Sequence, residues 1–313
     1  MNTRIDLNSI LNPNCKTNCN KEKRKNLFED DFCSLVTSVS DDLPVRCVGD
    51  WGQEKIYLLV RYLDMFATSM HNKWKVNYIE ICSGPGRCID RRSGQEFDGS
   101  SLAILKHKAF RYLNKALFID IDEGAVSSLS KRIDQLNINN ASAKVGDYNN
   151  SNQILEIISS EINDKSLNFV FVDPTDCSVP FYTIKNILKN IGKVDILVNV
   201  ASGTDFNRNI KNAILRDNYS RSKEKYNSFL GDRSFFDNEN IRQLAEIGDD
   251  LRLRTIFRKS YTNSLKNLGY LYSGMHQIRH YYDLVFASQN SKALEFWNKA
   301  KSVTTDGQRT INF

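Results

Sequence analysis

The chain has 313 residues, 41% apolar and 26% charged, the balance of an ordinary soluble globular protein. No stretch approaches the roughly 18 apolar residues of a membrane helix. The start, Met-Asn-Thr-Arg-Ile-Asp-Leu, lacks the apolar core of a signal peptide, so no membrane association and a cytoplasmic location are expected. The formal charge of +6 permits contact with a polyanion without demanding it, and an odd count of seven cysteines argues against a disulfide framework.

Residues 1–45 are polar, rich in Asn and Lys, and read as an N-terminal arm; residues 46–313 read as one domain. Trp51–Trp74 carries apolar residues at helical spacing (Ile56, Leu59, Val60, Leu63, Phe66, Met70) and is expected to be one long amphipathic helix. From residue 77 short apolar runs alternate with helical segments, which implies a parallel sheet with crossover helices. The expected strands are Tyr78–Cys82, Ala116–Asp120, Ser142–Gly146, Phe169–Asp173 and Asp195–Val200. The helices between them are Ser101–Asn114, Ala125–Leu136, Asn152–Asn163 and Thr183–Asn190. Arg87–Ser100, rich in charge and glycine, reads as a lengthened loop. Gly203–Arg258 is too long for bare loop and is expected to fold as extra helices over the ligand end of the sheet. Thr262–Leu268 reads as helix and Tyr281–Ser288 as the final strand of a closing hairpin. The fold expected is α/β: a doubly wound, mostly parallel seven-stranded sheet with an N-terminal helix and a helical insertion at about 203–258.

Residues 78–87, Tyr-Ile-Glu-Ile-Cys-Ser-Gly-Pro-Gly-Arg, carry the most information. An apolar run holding Glu80 breaks into a turn at Gly84 and Gly86, where the backbone must bend sharply and approach a ligand without a Cβ in the way. This reads as the first strand and loop of a class I S-adenosylmethionine (SAM) methyltransferase-like Rossmann fold. A nicotinamide loop, G-x-G-x-x-G, would need a third glycine at position 89, which is Ile89; a Tyr-x-x-x-Lys pair after the late strands is missing too. In such sheets ligands bind beyond the carboxyl ends of the strands. Ser83, Gly84 and Gly86 would present backbone groups to the methionine part of SAM, and Glu80 would meet its amino group directly or through water. Asp120 ends the second strand, where a carboxylate can accept both ribose hydroxyls; Asp122 could share that role or cap the next helix. Asp147, after Gly146, stands where an Asp commonly contacts the adenine amino group, or makes a plain turn.

Asp173-Pro174-Thr175-Asp176-Cys177 ends the fourth strand, the usual place for groups that act on a methyl acceptor. Asp173-Pro174 is similar to the motif of amino-methylating enzymes, in which an acidic or amide residue precedes two prolines and an aromatic. Here Thr175 and Asp176 replace the last two, and a simple strand stop is the alternative. Cys177 invites comparison with cytosine-C5 enzymes, but those place Cys directly after Pro. Cys15, Cys19, Cys33 and Cys47 could supply four thiolates to zinc, yet their spacings are irregular, and no metal is expected. Arg208, Lys211, Arg216, Arg221, Lys223 and Lys225, with Tyr219 and Tyr226 between them, could hold phosphates and stack bases or simply form a solvated helix face. Arg208 and Asn209 are also candidates for the substrate mouth.

From about Val48 to Lys299 the chain resembles the three-Cys-motif partner proteins (TcmP). The carriers are Gly49-Asp50-Trp51 with Lys55, Tyr78-Ile79-Glu80 into Ser83–Arg87, Gly99–Leu102, Phe118–Asp122, Gly146–Asn149 and Phe171–Pro174. Asp195–Leu197, Arg208-Asn209, Leu268–Tyr270 and Tyr282–Ser288 with Phe296-Trp297 complete the set. Ser101 stands where the family usually has proline, and Val200 where it usually has an aromatic. The resemblance implies a SAM-methyltransferase-like fold and a radical-SAM-like partner carrying the three-cysteine motif. The expected function is SAM-dependent methyl transfer to a nucleic acid or modified base together with that partner. The alternative is a non-catalytic SAM- or nucleotide-binding specificity or scaffold subunit of the same partner.

Overall fold

A computed structural model describes residues 9–13, 15, 36–162 and 165–303. The chain forms two compact units, one running to Val145 and resuming at Lys299, the other spanning Gly146–Asn298.

The first unit contains β1 (Ile10–Leu11), β2 (Arg46–Val48), the helix Trp51–Met70, β3 (Lys75–Ile81), β4 (Arg87–Asp90) and β5 (Gln95–Asp98). The helix Ser100–Lys106, β6 (Lys115–Asp120), the helix Glu123–Gln135 and β7 (Ala141–Val145) follow. β3, β6 and β7 lie parallel, with Asn77 opposite Lys115 and Ala116 opposite Ala141. The apolar runs of β3 and β6 need no alternation, because both faces are covered: Ile79, Leu117 and Ile119 are fully buried. The expected helix Ser101–Asn114 is interrupted at His107, whose extended backbone ends one helix while its ring accepts from Ala109 N to start a 3-10 turn.

Arg87–Ser100 is not a loop. β4 and β5 form an antiparallel hairpin, Arg87 opposite Asp98, in a small sheet of order β1-β5-β4-β2. Its charges, which read as solvent-facing, are buried as pairs. Arg87 donates to Glu96 at 3.3 Å and to Asp98 at 3.1 Å, Lys106 reaches Asp98 at 2.8 Å, and Glu96 also accepts from Asn12, Ser38 and the Val39 amide. Val36 and Val45 join Ile89 in a small apolar cluster, with Cys15 and Cys47 against it. Cys19 and Cys33, the other two cysteines weighed for zinc, lie outside the described residues.

Asp41 forms a bidentate pair with Arg132, at 2.7 and 2.8 Å. Burial alone would raise the Asp41 carboxyl, but hydrogen bonds from Arg132 and the Leu43 amide, with the positive charges of Arg132 and Arg87, outweigh it and hold it below the ordinary 3.8. A depressed folded-state pKa means the stabilisation is present above the unfolded value and lost as pH falls through the folded one. Stability measured by denaturant unfolding is therefore expected to fall more steeply below about pH 4 in the wild type than in Asp41→Asn; parallel curves would contradict this.

The second unit contains the helix Ser151–Glu161, β8 (Ser166–Val172), the helix Phe181–Asn190, β9 (Lys193–Val200), β10 (Tyr272–Ile278), β11 (Tyr282–Ser288) and the start of the helix Ser291–Lys301. β8 and β9 are parallel, while β11 runs antiparallel to both β9 and β10, giving the expected closing hairpin. The insertion is helical, with Asn207–Leu215, Ser220–Leu230, Glu239–Ile247 and Asp250–Asn267. The last of these begins well before Thr262, because its buried stripe (Leu253, Phe257, Tyr261, Leu265) is embedded in polar sequence. Phe229 stacks on Tyr261 at 4.7 Å and on Phe257 at 5.8 Å.

The seven larger strands form one mostly parallel sheet in the order β10-β11-β9-β8-β3-β6-β7. The fold is thus the expected doubly wound, mostly parallel seven-stranded α/β arrangement. Among the described residues, no helix is long and apolar enough to cross a membrane.

Candidate functional site

In the first unit the chain after β3 turns through three residues of unusual backbone. Cys82 has φ +66°, Gly84 +62° and Gly86 +92°. A positive φ is costly for Cys82, and such strain collects at functional sites. It is held by two amides, Cys82 N and Ser83 N, donating to Ile119 O at 2.9 and 3.2 Å. Gly86 is further required by packing, since a Cβ there would lie 2.9 Å from Leu129 Cδ1. At Gly84 a Cβ would make ordinary contact with the Arg46 side chain, 3.5 Å from Nη1, so glycine there answers to the positive φ rather than to crowding. Arg132 clamps the turn from behind by donating to Pro85 O at 2.6 Å.

Asp120, the last residue of β6, accepts from Gly84 N at 2.7 Å through one oxygen and from Asp122 N at 3.0 Å through the other. A carboxylate offers about four acceptor positions, so two remain for a ligand's hydroxyls. The Ser83 hydroxyl is buried with no hydrogen-bond partner, an atom whose need a bound ligand would meet. Ile121 and Val145, beyond β6 and at the end of β7, are large apolar side chains exposed at 47% and 42%. The sequence reading passed over both.

Glu80, expected to meet SAM's amino group directly or through water, lies within β3. It is fully buried and accepts from the Tyr78 hydroxyl at 2.9 Å and from the Ser100 hydroxyl, one on each oxygen. Asp122 caps the helix Glu123–Gln135, accepting from Ala125 N at 2.8 Å.

In the second unit Asp147 forms a turn, its Oδ1 accepting from the Asn149 amide and side chain at 2.8 and 2.9 Å. Asp173, just past β8, is half-buried, and Pro174 is buried. Pro174 O accepts from Asn199 Nδ2 at 3.2 Å. Asp205 lies in a π-helical turn, Ser202–Phe206, after β9. It binds Lys225 Nζ at 2.8 and 2.7 Å, Cys177 N at 3.0 Å and Asn209 Nδ2 at 3.0 Å. Asp176 reaches the same ammonium at 3.4 Å. Burial would lower the Lys225 pKa, but hydrogen bonding to Asp205 and the charge of Asp176 raise it, so it remains a cation.

Burial pushes the Cys177 thiol well up, and Asp205 and Asp176 push it further. Full burial and the two neighbouring carboxylates both count against Cys177 as a nucleophile. Arg208 is exposed, whereas Asn209 spends its amide on Asp205. The basic stretch divides: Lys225 is held by carboxylates, Tyr226 is buried with its hydroxyl on Asp205 O, and Lys223 lies over Phe236. Among the described residues, no group of three or more His, Cys, Asp or Glu is arranged to hold a metal. Asp205 and Asn199 were missed. Asn199 had a signal, because it interrupts an apolar strand just as Glu80 does; Asp205 had none short of its contacts.

No protein-family model matches this chain, and no curated protein matches it. Among solved structures it is similar to protein LPL1258 from Legionella pneumophila, at 8% identity and TM-score 0.45, over 84% of this chain and 95% of that one. It is similar to the CurJ carbon methyltransferase at 10% identity and TM-score 0.42, over 74% of this chain, and spans 54% of that protein's length. It is also similar to an O-methyltransferase from Bacillus cereus in complex with SAH, at 14% identity and TM-score 0.38, over 73% and 79% of the two chains.

Proposed function

We propose that this protein is a SAM-dependent methyltransferase acting on a nucleic acid or a modified base, alongside a radical-SAM-like partner that carries a three-cysteine motif. The observation that carries the cofactor reading is the turn Cys82–Gly86, whose strained backbone ties Gly84 N to Asp120 at 2.7 Å and leaves the buried Ser83 hydroxyl without a partner. Ser83, Gly84 and Gly86 hold the methionine part, Asp120 the ribose hydroxyls and Asp147 the adenine amino group. Ile121 and Val145 offer apolar surface for the adenine faces. Asp122 serves as the helix cap, and Glu80 braces the strand from its buried position. SAM held there would supply an activated methyl group to an acceptor aligned with it.

Asp173, with Pro174 fixing the chain direction behind it, orients the acceptor. Arg208, exposed at the start of the insertion, meets the substrate's phosphates, and Asn209 holds Asp205 in place. Methyl transfer needs chiefly alignment and exclusion of water, so the lack of a histidine in Asp173–Cys177 is no obstacle. Incubated with methyl-labelled SAM and cellular RNA, with its partner present, the wild type is expected to transfer label. Asp173→Ala is expected to lose about a hundredfold of the rate, the scale of a misplaced acceptor. No transfer by the wild type would contradict the reading.

A second reading, a SAM- or nucleotide-binding scaffold subunit of the same partner, is favoured by Asp176, which stands in the motif's place and is engaged with Lys225. It requires partner activity to survive Asp173→Ala.

A further inference from the structure

Arg46 lies in β2, which pairs in parallel with β4, Arg46 standing opposite Cys88. β4 begins at Arg87, directly after the Cys82–Gly86 turn, so the ladder fixes where Arg46 stands along that turn. Successive side chains of a strand leave on opposite faces. Cys47 packs on the cluster of Val36, Val45 and Ile89, and Arg46 therefore leaves on the other face. Its side chain runs over Gly84: Nη1 is 3.5 Å and Cδ 3.8 Å from the point where a Cβ would stand. Arg46 is half-buried, so its charge is partly shielded from water without being sealed from a ligand.

Two other guanidiniums near the turn serve its frame. Arg132 pairs with Asp41 and donates to Pro85 O, and Arg87 pairs with Glu96 and Asp98. Arg46 meets the turn at Gly84, the residue whose amide donates to Asp120 at 2.7 Å. The turn therefore carries a cation at Arg46 and an anion at Asp120. One residue before Gly84, the buried Ser83 hydroxyl is a donor without an acceptor. A guanidinium and a hydroxyl together call for an anionic group that only accepts, and a carboxylate is such a group. The methionine end of SAM terminates in a carboxylate, whereas its ribose offers neutral hydroxyls.

Building on the cofactor reading above, we propose that Arg46 binds the α-carboxylate of SAM, with the Ser83 hydroxyl as a second donor. Asp120 takes the ribose hydroxyls, so the pair of opposite charges fixes which way the cofactor lies along the turn. The planar fork of arginine suits this task, since it can meet both oxygens of a carboxylate at once.

The test needs no knowledge of the methyl acceptor. SAM is titrated calorimetrically beside decarboxylated SAM, which keeps the adenosine, the sulfonium and the amine and lacks only the carboxylate. The wild type is expected to bind SAM at least about tenfold more tightly, the low end for a hydrogen bond to a charged group. In Arg46→Ala and Arg46→Gln that preference is expected to shrink to within about threefold, the scale of a neutral hydrogen bond. Affinity for the decarboxylated ligand is expected to stay within about threefold of wild type in both variants. Arg46→Lys, which keeps the charge without the fork, retains part of the preference. A merely structural role would weaken both ligands by the same factor and leave their ratio unchanged. That outcome, a preference that survives in Arg46→Ala and Arg46→Gln, or equal binding of the two ligands by the wild type overturns the assignment and leaves the cofactor reading standing. Binding of neither ligand by the folded wild type overturns both.

Discussion

Replacing Asp283 with alanine is expected to lower the free energy of unfolding by about 3–5 kcal/mol, the cost of leaving buried charge uncompensated. Asp283 is fully buried on β11 and receives Arg254 Nη2 at 3.1 Å, Arg258 Nη1 at 3.0 Å and the Ser202 hydroxyl. Arg254 also donates to His280 O at 3.1 Å and to Ser202 Oγ at 3.0 Å, so the network ties the last insertion helix to β11 and to the π-helical turn. Gly203 fits beside this network only because it has no side chain: a Cβ would lie 1.6 Å from His280 O. Asp283→Ala strands two guanidiniums. Asp283→Leu combined with Arg254→Met removes charge from both sides and is expected to recover part of the loss. Denaturant midpoints at constant slope measure both. A loss below about 1 kcal/mol for Asp283→Ala would mean that the network behaves as surface ion pairs do. Because the same turn carries Asp205, loosening it should also disturb the Lys225 pair and the Cys177 amide that Asp205 holds.

The sheet is legible in the sequence because its central strands are apolar on both faces and alternate with amphipathic helices. Tyr78–Cys82 and Phe169–Asp173 lie within a few residues of β3 and β8, the usual uncertainty of element ends. The hairpin β4–β5 is hidden because Arg87, Glu96 and Asp98 carry charge into the interior, where only their mutual pairing makes burial tolerable. The glycine turn is readable residue by residue, since Gly84 and Gly86 answer to a backbone demand that is local. Partner choice is not local. Lys225 reads as part of a basic face until Asp205, twenty residues earlier, and Asp176 are seen around it. Glu80 shows the converse: its position in the strand is visible, but the two hydroxyls that engage it come from Tyr78 and Ser100.

The second large effect concerns Asp120. Its two oxygens already hold Gly84 N and Asp122 N, so it both shapes the glycine turn and offers its remaining acceptor positions to a ligand. Removing it takes away the anchor of the turn together with two charge-assisted hydrogen bonds to the ribose. Each such bond is worth about 1.5–3 kcal/mol, and 2.7 kcal/mol is about a hundredfold in affinity. Asp120→Asn keeps an acceptor for Gly84 N and should fall between wild type and Asp120→Ala. The measurement that tests the account most directly is calorimetric titration of the wild type and these two variants with SAM and with S-adenosylhomocysteine. The account predicts micromolar binding by the wild type, an intermediate loss in Asp120→Asn and at least about a hundredfold loss in Asp120→Ala. Absence of binding to both ligands by the folded wild type, or affinity that Asp120→Ala leaves unchanged, would contradict it.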